Sequence, residues 1–149
     1  MILQFIFSFF ATLFFSIIFN APRRLLLPCG FVGAIGWIVY TIATEQGISM
    51  SISSFFGSLL LSLCALVFAR LYKRPVIIFY VAGIIPLVPG GIAYDATKHL
   101  IISETNTAIS KGVEAALVSG AIAFGIILAE ILFQIFVTNN KFAKPKIVK

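Results

Sequence analysis

Apolar residues in this chain come in long unbroken runs separated by short polar punctuation. Residues 1–19 carry no charged side chain and seven phenylalanines, and Asn20-Ala21-Pro22-Arg23-Arg24 closes them. A second run covers 25–43 and a third 53–69, joined by Thr44-Glu45-Gln46-Gly47-Ile48; Arg70-Leu71-Tyr72-Lys73-Arg74-Pro75 stops the third abruptly. Another opens at Val76, and the last occupies 113–137. Helical runs of about 20 apolar residues cross the hydrocarbon core of a bilayer, so the pattern predicts an all-α integral membrane bundle of about five transmembrane segments. The fourth of these, 76–102, is discontinuous. The expected domain is single, 1–149, and ends in a basic tail at 138–149.

Composition sharpens this picture. Of 149 residues 60% are apolar and 11% charged, and the mean hydropathy is +1.10, whereas soluble domains carry about 25% charged residues. A cytosolic enzyme, a secreted disulfide scaffold and a disordered tail are thereby excluded. Cys29 and Cys64 both stand in apolar stretches and read as buried thiols. The formal charge of +6 reflects membrane topology rather than nucleic acid, which is not an expected partner. A cleaved signal would put positive charge before the first apolar run and small residues after it, so the first span is expected to be retained.

About five crossings put Arg23, Arg24, Arg70, Lys73, Arg74 and the tail residues Lys141, Lys144, Lys146 and Lys149 on one side, against only Lys98 and Lys111 on the other. Positive charge stays inside, so the predicted N-terminus is periplasmic and the C-terminus cytoplasmic. A re-entrant fourth segment would reverse that parity and carry the terminal lysines across. No internal repeat appears, and an odd number of spans without one suggests an incomplete transport unit with a partner chain.

The fourth segment carries the most informative motif. Its ten residues 76–85 (VIIFYVAGII) extend about 15 Å as a helix, roughly to the midplane. Pro86-Leu87-Val88-Pro89-Gly90-Gly91 follows; prolines lack donors and glycines accept many dihedrals, so regular helix is expected to fail there. Opened backbone at such depth is tolerated only within protein or beside a wet cavity. A resumed helix over 92–102 then aims free N–H groups back at the break, a weak anion site. Asp95, Lys98 and His99 share one face of it. The expected substrate-binding set is therefore Pro86, Pro89, Gly90, Gly91, Tyr94, Asp95 and Lys98, with Asp95 as the partner of Lys98 when the site is empty. Replacing Gly90 and Gly91 with leucine is expected to extend the helix and abolish transport. The competing interpretation is a simple proline kink followed by an extracellular loop, with His99 a polar anchor.

Gly30, Gly33 and Gly36 step by three along the second span, Ala121, Gly125 and Ala129 by four along the last, and Ser54, Ser58 and Ser62 by four along the third. Such stripes let helices approach closely; a hydroxyl-lined path is the alternative for the serines. Glu130 lies inside the last span, about 7 Å from its centre, with Gln134 one turn on. An acid in that place is costly and faces a cavity or the bundle interior. Together with His99 it is a candidate coupling group, or else it bonds to Gln134 or to another subunit. Metal-ligand clusters, nucleophile elbows and phosphate-binding loops are absent from the sequence, which predicts neither catalysis nor a cofactor.

Two stretches, Phe19-Asn20-Ala21-Pro22-Arg23-Arg24 with Cys29-Gly30-x-x-Gly33, and Arg74-Pro75 leading through Ile85-Pro86-Leu87-Val88-Pro89-Gly90-Gly91-Ile92-Ala93-Tyr94, resemble the small-subunit half of the threonine/serine exporter family, of the YjjB type. The resemblance covers nearly the whole chain and is most specific at Pro86-Leu87-Val88-Pro89-Gly90. It implies a bacterial inner-membrane export system in which this half works with a larger YjjP-type subunit, separate or fused. Threonine and serine are the implied substrates of one branch, and dicarboxylates such as succinate those of the split branch. The chain ends soon after its last span, which favours the split type and a dicarboxylate. The lipid bilayer, a small carboxylate and a second copy of the chain complete the expected partners. A non-transporting assembly subunit is the alternative.

Overall fold

The computed structural model describes residues 1–142, with side chains through Phe136. The basic tail, with Lys141, Lys144, Lys146 and Lys149, lies outside the residues whose side chains are described.

Six α-helices account for nearly all of the described chain: α1 (Ile2–Ile18), α2 (Leu26–Glu45), α3 (Met50–Tyr72), α4 (Ile77–Ile84), α5 (Gly90–Ile101) and α6 (Thr105–Phe142). Three of them, α2, α3 and α6, are long and apolar enough to cross a membrane, or four spans result if the bent pair α4–α5 counts as one. The apolar α1 is shorter, at 17 residues. The third helix exceeds the expected 53–69 at both ends, because Ser49 precedes its first turn and Lys73, in the left-handed conformation at φ 50°, ends it just before Pro75. At the α2–α3 corner the backbone turns through Gly47 at φ 81°, a conformation that costs glycine nothing.

Close backbone approach holds the centre together. A Cβ on Gly57 would stand 2.9 Å from the Gly36 carbonyl oxygen, and one on Gly125 would stand 2.7 Å from the Phe55 carbonyl oxygen and against the Ser58 hydroxyl. The first contact joins α2 to α3, the second α3 to α6. Gly30 and Gly33 instead face α1, against Phe9 and Thr12, so the glycine row of α2 serves two neighbours rather than one. In lipid, where burial of apolar surface does not drive helices together, such van der Waals contact is the main source of cohesion. Leu61, Val32, Phe79 and Cys29 are fully buried at this centre.

The first helix inverts the usual pattern of burial. Ser8, Thr12 and Ser16 are its buried residues. Their hydroxyls bond back to the carbonyls of Phe5, Ser8 and Thr12, while Phe7, Phe10 and Phe14 face outward. Lipid solvates the phenylalanines, and hydroxyls satisfied by their own helix leave a slim face for α2.

Contacts along α3 set the register. Ser54 shares a cavity with Val118, Ser58 meets Gly125, and the Arg70 guanidinium lies over the Phe133 ring at 5.0 Å. Both numbers rise together, so α3 and α6 run parallel. At the other side Cys29 Sγ donates to the Ile78 carbonyl at 3.7 Å, bringing the start of α2 beside the start of α4. Arg23, Arg24, Arg70, Lys73 and Arg74 therefore gather at one end of the bundle, and Lys98 and Lys111 at the other.

Candidate functional site

The interruption in the fourth segment is shorter than the sequence predicts. The α-helix ends at Ile84 and tightens into a 3₁₀ turn over Ile85–Leu87. Only Val88, extended at φ −63° and ψ 129°, and Pro89, at φ −78° and ψ 45°, leave helical geometry. A residue before proline is pushed out of the α region, so Pro89 dictates the conformation of Val88. From there α5 departs at 51° to the preceding helical stretch. Gly90 and Gly91 are not the irregular backbone; they form the first turn of α5. A Cβ on either would meet nothing within 4 Å.

Depth differs too. Leu87 reaches Gly57, and the turn after it borders Ser54. These positions lie about 6 and 10 Å from Leu61, the middle of α3, toward its N-terminal end. The bend thus sits off the centre of the bundle rather than at it.

A cavity of about 170 Å³ opens there. Pro86, Pro89 and Gly91 of the expected set line it, joined by Trp37 and Tyr40 of α2 and Ser54 of α3. The two aromatic rings lie 5.2 Å apart. Ser54 is 1% exposed, and its hydroxyl has no hydrogen-bond partner among the described residues. Gly90 N–H donates to the Val88 carbonyl at 2.8 Å and Ala93 N–H to the Pro89 carbonyl at 3.0 Å. Between them the amides of Gly91 and Ile92 have no backbone acceptor outside the helix, and no side chain caps this end. An unpartnered buried hydroxyl costs about 1–3 kcal/mol.

The other predicted residues stand elsewhere. Tyr94, Asp95 and Lys98 are exposed on α5, which buries no residue at all, and none of the three lines the cavity. Among the described residues Lys98 forms no ion pair with Asp95, and the ion pairs are His99 Nδ1 with Glu104 Oε2 at 2.8 Å, across the α5–α6 turn, and Lys111 Nζ with Glu114 Oε2 at 2.9 Å. Ser103, at φ 67°, makes that turn tight enough for His99 to reach Glu104. Glu130 is half-buried on α6, far along the helix from Val118, which borders the bend. Gln134 is exposed and makes no hydrogen bond to Glu130 among the described residues.

Trp37, Tyr40 and Ser54 were not expected at the site. The serine belonged to a visible stripe, and the aromatic pair at spacing three marks one face of α2, but neither signal indicates which helix end the bend will meet.

The sequence profile of the family described as Threonine/Serine exporter, ThrE matches residues 4–132. The chain belongs to this family. It is a multi-pass membrane protein of a transport family, not an enzyme, and the matched region takes in all or part of every helix, the bend and Glu130. Among the described residues no group of His, Cys, Asp or Glu is arranged to hold a metal ion. No solved structure matches the chain.

Proposed function

We propose that this chain is the smaller membrane subunit of a two-component exporter of small carboxylate metabolites, working with a larger YjjP-type subunit. The observation that carries the site is the cavity at the bend. It joins opened backbone, two amides without acceptors and the unpartnered Ser54 hydroxyl in an otherwise apolar bundle. A carboxylate can accept from the two amides and the hydroxyl, and amides at a helix start favour negative charge. At about 170 Å³ the cavity is small beside the roughly 300–1,000 Å³ that hold drug-sized ligands, which suits a metabolite of a few carbons. Succinate is the preferred substrate in this reading, with threonine and serine next. Tyr94, Asp95 and Lys98 serve as an outer approach rather than as walls of the site.

In the same reading the fourth segment crosses the membrane as one span broken at the Pro/Gly motif, for about five crossings in all. The parallel course of α3 and α6 supports this, since a re-entrant α4–α5 would return α6 antiparallel to α3. The gathering of five basic residues at one end supports a cytoplasmic C-terminus and an outer N-terminus. An apolar groove of about 650 Å³ between α3 and α6, lined by Ala116, Gly120, Phe55 and Phe124, gives a helix of the larger subunit a place to lie.

Export of succinate and threonine from cells making this chain with the larger subunit, compared with cells making either alone, tests the proposal. Export is expected only from the pair. Full export by the larger subunit alone contradicts it.

A further inference from the structure

Gln4, Ser8 and Thr12 follow one another at every fourth position of α1, and the fit of that helix to α2 changes along them. At Thr12 the helices touch, because Gly33 leaves no room for a Cβ there. One turn further along α2 stands Trp37, and here the helices part around a second cavity of about 320 Å³, bordered by Gln4, Ser8 and Ala11 of α1. The Ser8 hydroxyl is satisfied by the Phe5 carbonyl. The Gln4 side-chain oxygen is buried without a donor among the described residues.

Trp37 and Pro86 line both this cavity and the smaller one at the bend. The two spaces therefore adjoin, with these residues between them. Pro86 is fixed by the chain itself, inside the 3₁₀ turn Ile85–Leu87. Trp37 instead projects from regular helix, and its ring rests against that of Tyr40 at 5.2 Å. Tyr40 lines the bend cavity and not the second one. With few rotatable bonds, an indole makes a stiff wall.

We propose that Trp37 determines the specificity of the bend site, by closing it on the side of α1 and so limiting the length of the carboxylate it holds. At about 170 Å³ the closed site takes a chain of a few carbons. Without the indole the two cavities become one. A longer dicarboxylate then finds room for its far end beside Ser8 and Gln4, whose side-chain amide can donate to it. The wall stands on the geometry of the two cavities, and its role in specificity rests on the transport reading above.

Ser54→Cys, in a full-length chain carrying Cys29→Ala and Cys64→Ala, tests the wall in membranes without substrate or the larger subunit. N-methylmaleimide and the bulkier N-benzylmaleimide share one chemistry, so the ratio of their labelling rates reads the room beside the thiol. With Trp37 in place the small reagent is expected to be preferred. Trp37→Ala is expected to cut that preference by about tenfold, the scale on which a pocket resists an added methylene, and Trp37→Phe to keep most of it. Adding Ala11→Phe to Trp37→Ala refills the second cavity and is expected to restore the preference, which a misfolded chain would not do. A preference unchanged by Trp37→Ala, or not restored by Ala11→Phe, overturns the proposal, as does a thiol that neither reagent reaches. Export by the chain with the larger subunit then reads specificity. Trp37→Ala is expected to raise export of glutarate and adipate, which lengthen succinate by successive methylenes, about tenfold relative to succinate. An unchanged ratio in that variant overturns the assignment of Trp37. An unsubstituted pair that exports none of the three overturns the transport reading instead, on which the labelling does not depend.

Discussion

Gly57 and Gly125 in the centre of the bundle contrast with Gly90 and Gly91 at the start of α5. All four are glycines in helices, and the sequence marks the second pair more conspicuously, behind two prolines. Around Gly57 and Gly125 an added Cβ would fall within 3 Å of a carbonyl oxygen on the neighbouring helix, whereas around Gly90 and Gly91 there is open space. The central glycines are needed because backbone lies against backbone and cannot retreat. The bend owes its shape to Pro89 acting on Val88, and the glycines after it only begin the next helix. In this chain a glycine without a proline nearby says more about cohesion than one beside it.

Substitution to alanine is the most direct way to break that contrast. Gly125→Ala is expected to have the largest effect, a loss of about 1–3 kcal/mol from overpacking, read as a lowered unfolding midpoint of the detergent-purified protein. An unchanged midpoint would mean that α3 and α6 do not approach as closely as described. Gly90→Ala and Gly91→Ala are expected to act in the opposite sense, raising stability by up to about 1 kcal/mol each through helix propensity; a lowered midpoint in either variant would show that the space beside these glycines is filled. The smallest effect is expected at the α5–α6 turn, where the partly exposed His99–Glu104 pair is worth less than about 1 kcal/mol. Glu104→Gln should barely move the midpoint, and a large drop would mark the hairpin as a stability element.

Much of the architecture is legible in the apolar runs. Charges closing the runs at Arg23 and Arg70, and the prolines at 22 and 75, mark helix ends because a charge is costly in hydrocarbon and proline removes a donor. The irregularity near Pro86 is legible for the same reason. Contacts between helices are not. In a lipid-solvated helix hydropathy does not separate the buried face from the exposed one, as α1 demonstrates by burying Ser8, Thr12 and Ser16 and exposing Phe7, Phe10 and Phe14. Pairing of Ser54 with the bend depends on the register of helices distant in sequence. The predicted partnership of Asp95 with Lys98 rested on their shared face alone. His99 instead meets Glu104, because a tight turn brings the next helix back within reach.

The central claim is that the cavity beside the bend receives the substrate, and Ser54 offers the most direct probe of it. In a chain carrying Cys29→Ala and Cys64→Ala, made with the larger subunit, Ser54→Cys can be labelled by a small thiol reagent in membranes with and without succinate or threonine. The account predicts that the thiol reacts and that saturating substrate slows the reaction several-fold. A labelling rate indifferent to both substrates, or a thiol that never reacts while export continues, would contradict it.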